Sequence, residues 1–320
     1  RDALREQGFL LPLEGTMDHW AAAIELREVK RYDLGHRVGA LKKLIPEANA
    51  WNGDVIISSE LFAPAGPKRI ARFVKRFKAE EIHIIITARP LIKQVGSEWQ
   101  EGIKNGSTTS YEEYVKLLMS EQPQASFWRM HDLANLTSRW AVGIPPERVH
   151  IVTVPNQGAP ADEIWNRFCA VLNVDNRAMV CDSESRNVSL GIAGTELLRR
   201  VIAAGEFGTI EKQMIRRRVL RTIFALESMR GFPDRQIGID PELREVVLRR
   251  SENAIKVIKE SQFDVVGSLD ELVSLPDAVA DYVGPEEWEV LRAGLYGTND
   301  LLRVREGREA PLLFESARLR

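Results

Sequence analysis

The clearest strand signal in the chain is the run Ile82-His-Ile-Ile-Ile-Thr87. Its nearly continuous apolar character is typical of a parallel strand that is covered on both faces. Two further β-branched runs occur before and after it, Asp54-Val-Ile-Ile-Ser58 and Val149-His-Ile-Val-Thr-Val154. Each of these runs predicts a buried strand.

Helical patterns separate these strands. The most regular of them cover residues 67–78, 90–103 and 160–172. Strands that alternate with helices at this spacing predict an α/β fold, with three layers and a mostly parallel sheet.

Beyond about residue 190 no comparable strand occurs; only a short segment, Phe263–Val266, follows a series of helical patterns. We therefore expect one domain over residues 1–275, with an α/β part over 1–190 and a helical part over 191–275. Residues 276–320 mix Gly, Pro and charged residues and are expected to form a C-terminal extension.

The composition excludes several classes of protein. The chain has 320 residues, with 44 Lys and Arg against 46 Asp and Glu, so it lacks the basic excess of a dedicated nucleic-acid binder. No apolar run approaches the roughly 20 residues that span a bilayer. The two cysteines, Cys169 and Cys181, are too few for a disulfide framework and fit a reducing cytoplasm. We expect a cytoplasmic protein without a nucleic-acid partner.

Charged residues follow two of the predicted strands. Arg89 comes directly after the strand that ends at Thr87-Ala88, and Glu60 follows the strand that ends at Ser58. Ligands of open α/β sheets bind beyond the carboxyl ends of the strands. A carboxylate and a guanidinium at such ends predict proton transfer beside an anion site.

Arg89 is the strongest candidate for binding an anion, because Arg forms forked hydrogen bonds to phosphate oxygens. Ser97 lies eight residues later, about two turns into the next predicted helix. The two side chains together predict a phosphate site. The alternative is that Arg89 pairs with a carboxylate of the protein and that Ser97 faces solvent.

The stretch from Ile84 to Trp99 resembles the 3′-phosphate signature of sulfotransferases that use 3′-phosphoadenylyl sulfate. In that family a strand ends in Arg and a Ser lies eight residues later, as Arg89 and Ser97 do. Similar short motifs recur in order over residues 1–272, at Asp54–Glu60, Trp99–Glu101, Phe127–Trp128, Asn187–Gly191, Glu196–Arg200 and Asp264–Leu272.

The resemblance implies a P-loop sulfotransferase-like fold and transfer of a sulfuryl group to an acceptor hydroxyl or amine. It implies that Arg89 and Ser97 bind the 3′-phosphate of the donor. It also implies that Arg186, Asn187 and Ser189 approach the nucleotide. The other interpretation of Asn187 and Ser189 is that they cap the helix that follows.

Glu60 is the candidate general base, since some members of the family use Glu in this role and others use His. A carboxylate at a strand end could take the proton of the acceptor as it attacks sulfur. The alternative is that Glu60 stabilises the N-terminus of a helical turn. His131 is the reserve base.

The chain departs from the family at the loop that binds the 5′-phosphosulfate, which carries Gly, Lys and Ser/Thr after the first strand. Gly15-Thr16 has no neighbouring Lys, and no strand is predicted before it. Residues 1–7 are expected to be the end of a helix that follows such a loop. The sequence is therefore expected to be an N-terminally truncated form.

The function expected from these observations is sulfuryl transfer from 3′-phosphoadenylyl sulfate to a small-molecule, glycan or lipid acceptor. No His/Cys cluster has the spacing of metal ligands, so no metal is expected. The rival is a binding protein of the same fold that lacks catalysis. A phosphoryl-transfer enzyme ranks last, because no Asp follows a strand as a Mg²⁺ site requires.

Overall fold

The structure is a computed structural model, and it describes residues 1–13, 16–30, 32, 34–122, 126–177, 179, 189–204, 229, 231–273 and 279–307. The chain divides into two units. The first contains Arg1–Gln94, Lys116–Asp182 and Pro241–Val279, and the second contains Val95–Val115, Ser183–Asp240 and Ala280–Arg320. Among the described helices, none has both the length and the apolar character needed to cross a bilayer.

All five described strands belong to the first unit and are parallel. They are β1 (Phe9–Leu10), β2 (Asp54–Val55), β3 (Ile84–Ala88), β4 (Val149–Thr153) and β5 (Asp264–Val266). Strand β1 pairs with β2, so that Phe9 lies opposite Asp54. The other three form a second sheet in the order β3–β4–β5. The fold is α/β with small parallel sheets.

The described helices are distributed along the whole chain. Their bounds are α1 (Asp2–Glu6), α2 (Thr16–Arg27), α3 (Ala40–Ala50), α4 (Pro67–Val74), α5 (Leu91–Lys104), α6 (Tyr111–Met119), α7 (Ser126–His131), α8 (Leu133–Trp140), α9 (Glu163–Leu172), α10 (Gly191–Ala203), α11 (Pro241–Glu260) and α12 (Glu287–Gly307). Short 3₁₀ helices at Glu60–Phe62 and Leu269–Leu272 follow β2 and β5.

The core of the first unit lies around the central strand. All five side chains of β4 are buried, and Val149 and Ile151 belong to the main hydrophobic cluster. Helix α4 contributes Ile70 and Phe73, whose ring stacks on Phe62 with a centroid separation of 5.5 Å. The apolar run of β4 is thus covered, as expected of a parallel strand. The prediction that the run at β3 is covered on both faces is wrong, because Ile84, Ile85 and Ile86 are only half-buried and Thr87 is exposed.

Two strand predictions need correction. The run from Asp54 to Ser58 forms a strand only over Asp54–Val55, because the backbone N–H of Ser58 bonds to Nδ1 of His19 instead of a neighbouring strand. The segment Phe263–Val266, for which no pairing was expected, contains β5, which pairs with β4.

The second unit is mainly helical. Its hydrophobic cluster includes Trp99, Tyr111, Leu198 and Met229. Tyr111 stacks on Tyr282 with 3.8 Å between ring centroids and donates a hydrogen bond to the carbonyl of Gly238. These contacts join segments that are far apart in the sequence.

Candidate functional site

Arg89 follows the last residue of β3, at the edge of the sheet where parallel strands present their carboxyl ends. Its side chain is exposed and makes no hydrogen bond or ion pair with any described residue. Partial burial lowers the pKa of Arg89 from its usual value. The alternative in which Arg89 pairs with a carboxylate is therefore not found among the described residues.

A cavity of about 10 Å³ lies beside Arg89. It is lined by Arg89, Leu91, Leu133, Ser251, Ala254 and Leu272. This space holds about one water molecule and is too small for a phosphate group. This cavity therefore does not itself hold a phosphate group beside Arg89.

The carboxyl ends of β4 and β5 are occupied by an internal ion pair. Arg167 of α9 donates two hydrogen bonds to the Glu271 carboxylate, at 2.6 and 3.0 Å, and a third to the carbonyl of Thr153 at 2.8 Å. The Thr153 hydroxyl donates to the same carboxylate at 2.5 Å. Chiefly through the hydrogen bond from Arg167, the pKa of Glu271 is lowered to about 2.

Gly267, the residue after β5, lets this ion pair approach the backbone. Its φ of +108° is a conformation that L side chains rarely adopt. A Cβ atom at this position would overlap the Thr153 hydroxyl and the Arg167 guanidinium. The guanidinium of Arg89 at the end of β3, by contrast, has no described partner.

Glu60 begins the 3₁₀ helix Glu60–Phe62, five residues after β2. The Ser59 hydroxyl caps this turn by accepting the backbone N–H of Leu61 at 3.3 Å. Glu60 lies in the first turn, where a carboxylate is favourable, as the structural alternative expected. Its side chain is exposed and has no hydrogen-bond partner among the described residues, so the carboxylate also remains open to solvent.

The loop that follows Glu60 is held by cationic side chains. Arg139 donates to the carbonyls of Ala63 and Ala65 at 2.6 and 2.7 Å, and Arg129 donates to that of Pro64 at 2.6 Å. Burial, followed by the charge of Arg129, lowers the pKa of Arg139 to about 10. These two residues were not anticipated, because no local pattern marks an arginine that binds carbonyl groups.

Ser97 lies exposed on helix α5, in the part of that helix that belongs to the second unit. Arg89 belongs to the first unit. Their joint role at one phosphate stays a prediction from the eight-residue spacing.

Ser189 lies before helix α10, within the second unit. Its hydroxyl accepts hydrogen bonds from the side-chain amide of Gln100 at 3.3 Å and from the backbone N–H of Gly191 at 3.4 Å. The latter bond reaches the first residue of α10, and the N-cap residue of that helix is Leu190, which makes no side-chain cap bond. The carboxylate of Asp234 accepts the N–H of Gly194 at 2.8 Å, so the start of α10 already holds an internal anion. Arg186 and Asn187 lie outside the described residues.

His131 is the last residue of α7 and is half-buried. Its ring lies 5.1 Å from that of Phe127, between centroids. This contact is the packing expected of a structural histidine, and its role as a reserve base stays a prediction.

The expectation that no strand precedes Gly15-Thr16 is wrong. Strand β1 ends at Leu10 and helix α2 begins at Thr16, so the intervening residues connect a strand to a helix. The sequence missed β1 because two apolar residues between Gly8 and Pro12 are too short a run to indicate a strand. Residues 14 and 15 themselves lie outside the described part.

Side chains from elsewhere in the first unit hold the connection between β1 and α2. The Glu47 carboxylate accepts the backbone N–H of Leu13 with both oxygens, each at 3.1 Å. Arg1 donates to the carbonyls of Leu11, at 2.8 Å, and Leu13. The buried His19 lies 2.8 Å from the carbonyl of Pro12 through Nε2. Leu13 is held at a φ of +65° by these contacts.

No group of three or more His, Cys, Asp or Glu side chains in the described part of the chain is arranged to hold a metal ion. The absence of a metal requirement stays a prediction. No protein-family model, curated protein or solved structure matches this chain.

Proposed function

We propose that this chain is a sulfotransferase-like protein that transfers a sulfuryl group from 3′-phosphoadenylyl sulfate to a hydroxyl or amine of a small-molecule, glycan or lipid acceptor. The observation that carries this proposal is Arg89, an exposed guanidinium at a strand end with no described partner. Its planar fork suits two oxygens of a phosphate group. In the proposal that group is the 3′-phosphate of the donor, with Ser97 as a second contact.

The proposal places the two parallel sheets in one three-layer P-loop-type fold. Its support is the succession of β1, a connecting loop and α2. Loops between a strand and a helix present backbone N–H groups to phosphate. Residues 11–13 would then face the 5′-phosphosulfate. The proposal also assigns nucleotide contacts to Ser189 and to Arg186 and Asn187, which lie outside the described residues.

Sulfuryl transfer needs a base for the proton of the acceptor. The acceptor oxygen or nitrogen forms a bond to sulfur while the bond from sulfur to the phosphate oxygen breaks. That oxygen keeps the electron pair and leaves as part of adenosine 3′,5′-bisphosphate. Glu60 takes the acceptor proton, a role that suits a carboxylate without a described hydrogen-bond partner.

One observation favours the second candidate, a binding protein that does not catalyse transfer. The Leu13 N–H is taken by Glu47, and no Lys occurs among residues 1–29. A phosphate loop without Lys loses the point charge that neutralises the transferring group. The two candidates share the nucleotide site at Arg89 and differ in turnover.

Calorimetric titration with adenosine 3′,5′-bisphosphate tests the shared site. We expect Arg89→Ala to weaken binding by about tenfold to a hundredfold, since a hydrogen bond to a charged group contributes about 1.5–3 kcal/mol. Arg72→Ala, at an exposed position of helix α4, is the matched control and should bind as the wild type does. Equal binding by Arg89→Ala, or no binding by the wild type, would overturn the proposal.

Release of adenosine 3′,5′-bisphosphate from the donor separates the two candidates. The assay compares phenol, sugar and amine acceptors with buffer alone. Acceptor-dependent release supports transfer, whereas nucleotide binding without release for any acceptor supports the binding protein.

A further inference from the structure

The hydrogen-bond ladder between β1 and β2 ends at an inserted side chain. Two successive bonds run from backbone N–H groups of the second segment to carbonyls of the first: Asp54 to Gly8 at 3.1 Å and Ile56 to Leu10 at 2.9 Å. In a parallel ladder the next bond of this series joins the Ser58 N–H to the Pro12 carbonyl. The imidazole of His19, in the first turn of α2, lies between these two groups instead.

Both ring nitrogens of His19 are used in this bridge. Nε2 lies 2.8 Å from the carbonyl oxygen of Pro12, which can only accept, so Nε2 carries the proton. Nδ1 then accepts the backbone N–H of Ser58 at 3.2 Å. Because the residue is only 2% exposed, both bonds are shielded from competing water. A neutral ring thus replaces one direct bond between the strands by two bonds in series.

The bridge keeps the carboxyl ends of β1 and β2 apart. Pro12 has no N–H, so the opposite bond of the ladder, to the carbonyl of Ile56, cannot form either. The two chain segments are therefore separated at this point by the width of one imidazole ring. Ligands of open α/β sheets bind beyond such strand ends.

We propose that His19 is a positioning residue that fixes the turn carrying Glu60 relative to the loop after β1. The inference rests on the proposed function, in which residues 11–13 face the 5′-phosphosulfate and Glu60 is the base. Pro12 lies within that loop, and Ser58 lies two residues before Glu60. The ring therefore sets the distance between the donor and the base, on which the rate of transfer depends.

Turnover in the release assay, with calorimetric titration of adenosine 3′,5′-bisphosphate beside it, tests this role. His19→Leu removes both bonds and keeps an apolar side chain of similar size in the buried position. We expect kcat to fall about tenfold to a hundredfold, because a small misplacement of reacting groups costs that much, and Kd to change less than about threefold, because Arg89 is retained.

His150→Leu is the matched control. It also removes a buried histidine with two polar contacts in the first unit, but at the amino edge of the sheet. We expect both variants to melt below the wild type and only His19→Leu to lose turnover. An equal kcat in the two variants would show that His19 acts on stability alone and would overturn the proposal.

His19→Asn decides the question if His19→Leu does not fold. Its side-chain oxygen can accept the Ser58 N–H, whereas the shorter side chain does not reach the Pro12 carbonyl. We expect this variant to fold and to have a kcat below that of the wild type. A wild-type kcat would overturn the role of the bridge.

The outcomes separate this inference from the proposed function. If the wild type shows acceptor-dependent release and His19→Leu matches its rate, the role of His19 is overturned and the proposed function stands. If the wild type shows no acceptor-dependent release, the proposed transfer fails, and the role of His19 in it fails as well.

Discussion

Nδ1 of His83 lies 2.9 Å from Nε2 of His150, at the amino edge of the sheet β3–β4–β5. Nδ1 of His150 lies 2.7 Å from Oδ2 of Asp264, the first residue of β5. One tautomer of His150 satisfies both contacts, with Nδ1–H donating to Asp264 and Nε2 accepting from His83. The buried His150 therefore ties the entry to β3 to the start of β5.

Replacing His150 by Leu should reduce the free energy of unfolding by about 1–3 kcal/mol. The variant keeps an apolar side chain in a buried position but removes a hydrogen bond to a charged group. Urea unfolding measures the difference. His36→Leu, at an exposed position, is the control and should change stability by no more than about 0.5 kcal/mol. Equal effects of the two variants would contradict a stabilising role for the pair.

The ion pair between Arg167 and Glu271 predicts an acid-dependent loss of stability. The pKa of Glu271 in the fold, about 2, lies below its ordinary value of 4.5 because Arg167 donates to the carboxylate. The stabilisation is therefore present above about pH 4.5 and is lost as the pH falls towards 2. Glu271→Gln should cost about 3 kcal/mol at pH 7, where one partner of a largely buried pair is removed.

Urea unfolding of Glu271→Gln at pH 7, 5 and 3.5 checks this dependence. The difference from the wild type should stay constant from pH 7 to 5 and narrow at pH 3.5. Glu163→Gln removes the other carboxylate that contacts Arg167, and its effect should be smaller because that group is more exposed. If the difference in the free energy of unfolding between wild type and Glu271→Gln does not depend on pH, the ion pair between Arg167 and Glu271 is not its source.

Gly267→Ala should destabilise the protein by about 3 kcal/mol or more, because the new Cβ atom overlaps Thr153 and Arg167 and the backbone is left-handed. Gly143→Ala is a control with a φ of +77° and no atom within 4 Å of the added carbon. It should show only the backbone strain, about 1–2 kcal/mol. Thermal unfolding of the two variants separates the cost of steric overlap from the cost of backbone strain. Equal losses of stability would contradict the close packing around Gly267.

Glu60→Gln should lower kcat by about a hundredfold or more while leaving the Kd for adenosine 3′,5′-bisphosphate unchanged, because a base acts only on the acceptor proton. The measurement is donor turnover with the acceptor identified by the release assay. Glu81→Gln, which removes a carboxylate at the amino edge of the sheet, is the control. Unchanged turnover in Glu60→Gln would contradict the role of Glu60 as the base. Stabilisation of the first helical turn would then be its remaining role.

Strands β3 and β4 could be predicted from the sequence because each lies in a six-residue run that holds four Val or Ile residues, a pattern that local sequence reveals. Strand β1 could not, because its two residues become a strand only by pairing with Asp54–Val55. The length of β2 was also unpredictable, since it depends on the side chain of His19, 39 residues from Ser58. Pairing partners that are distant in sequence decide both cases.

In the candidate site too, features set by local sequence could be predicted and contacts between distant residues could not. Arg89 was identified from its place after a strand, a local feature that the structure retains. The ion pair between Arg167 and Glu271 joins residues 104 positions apart, and no local sequence pattern predicts it. By contrast, the two capping bonds between Ser110 and Glu113 join residues within one helical turn, a spacing that local sequence does reveal.

The Glu47 carboxylate already accepts the Leu13 N–H. A phosphate group that binds at this loop therefore competes with a carboxylate of the same molecule. The carboxylate is covalently attached to the same molecule, so its effective concentration at the Leu13 N–H is on the order of millimolar or above. A phosphate group that binds this N–H has to displace the Glu47 carboxylate, which stays attached to the protein. A ligand held only by the loop would therefore lose to Glu47 at micromolar concentration.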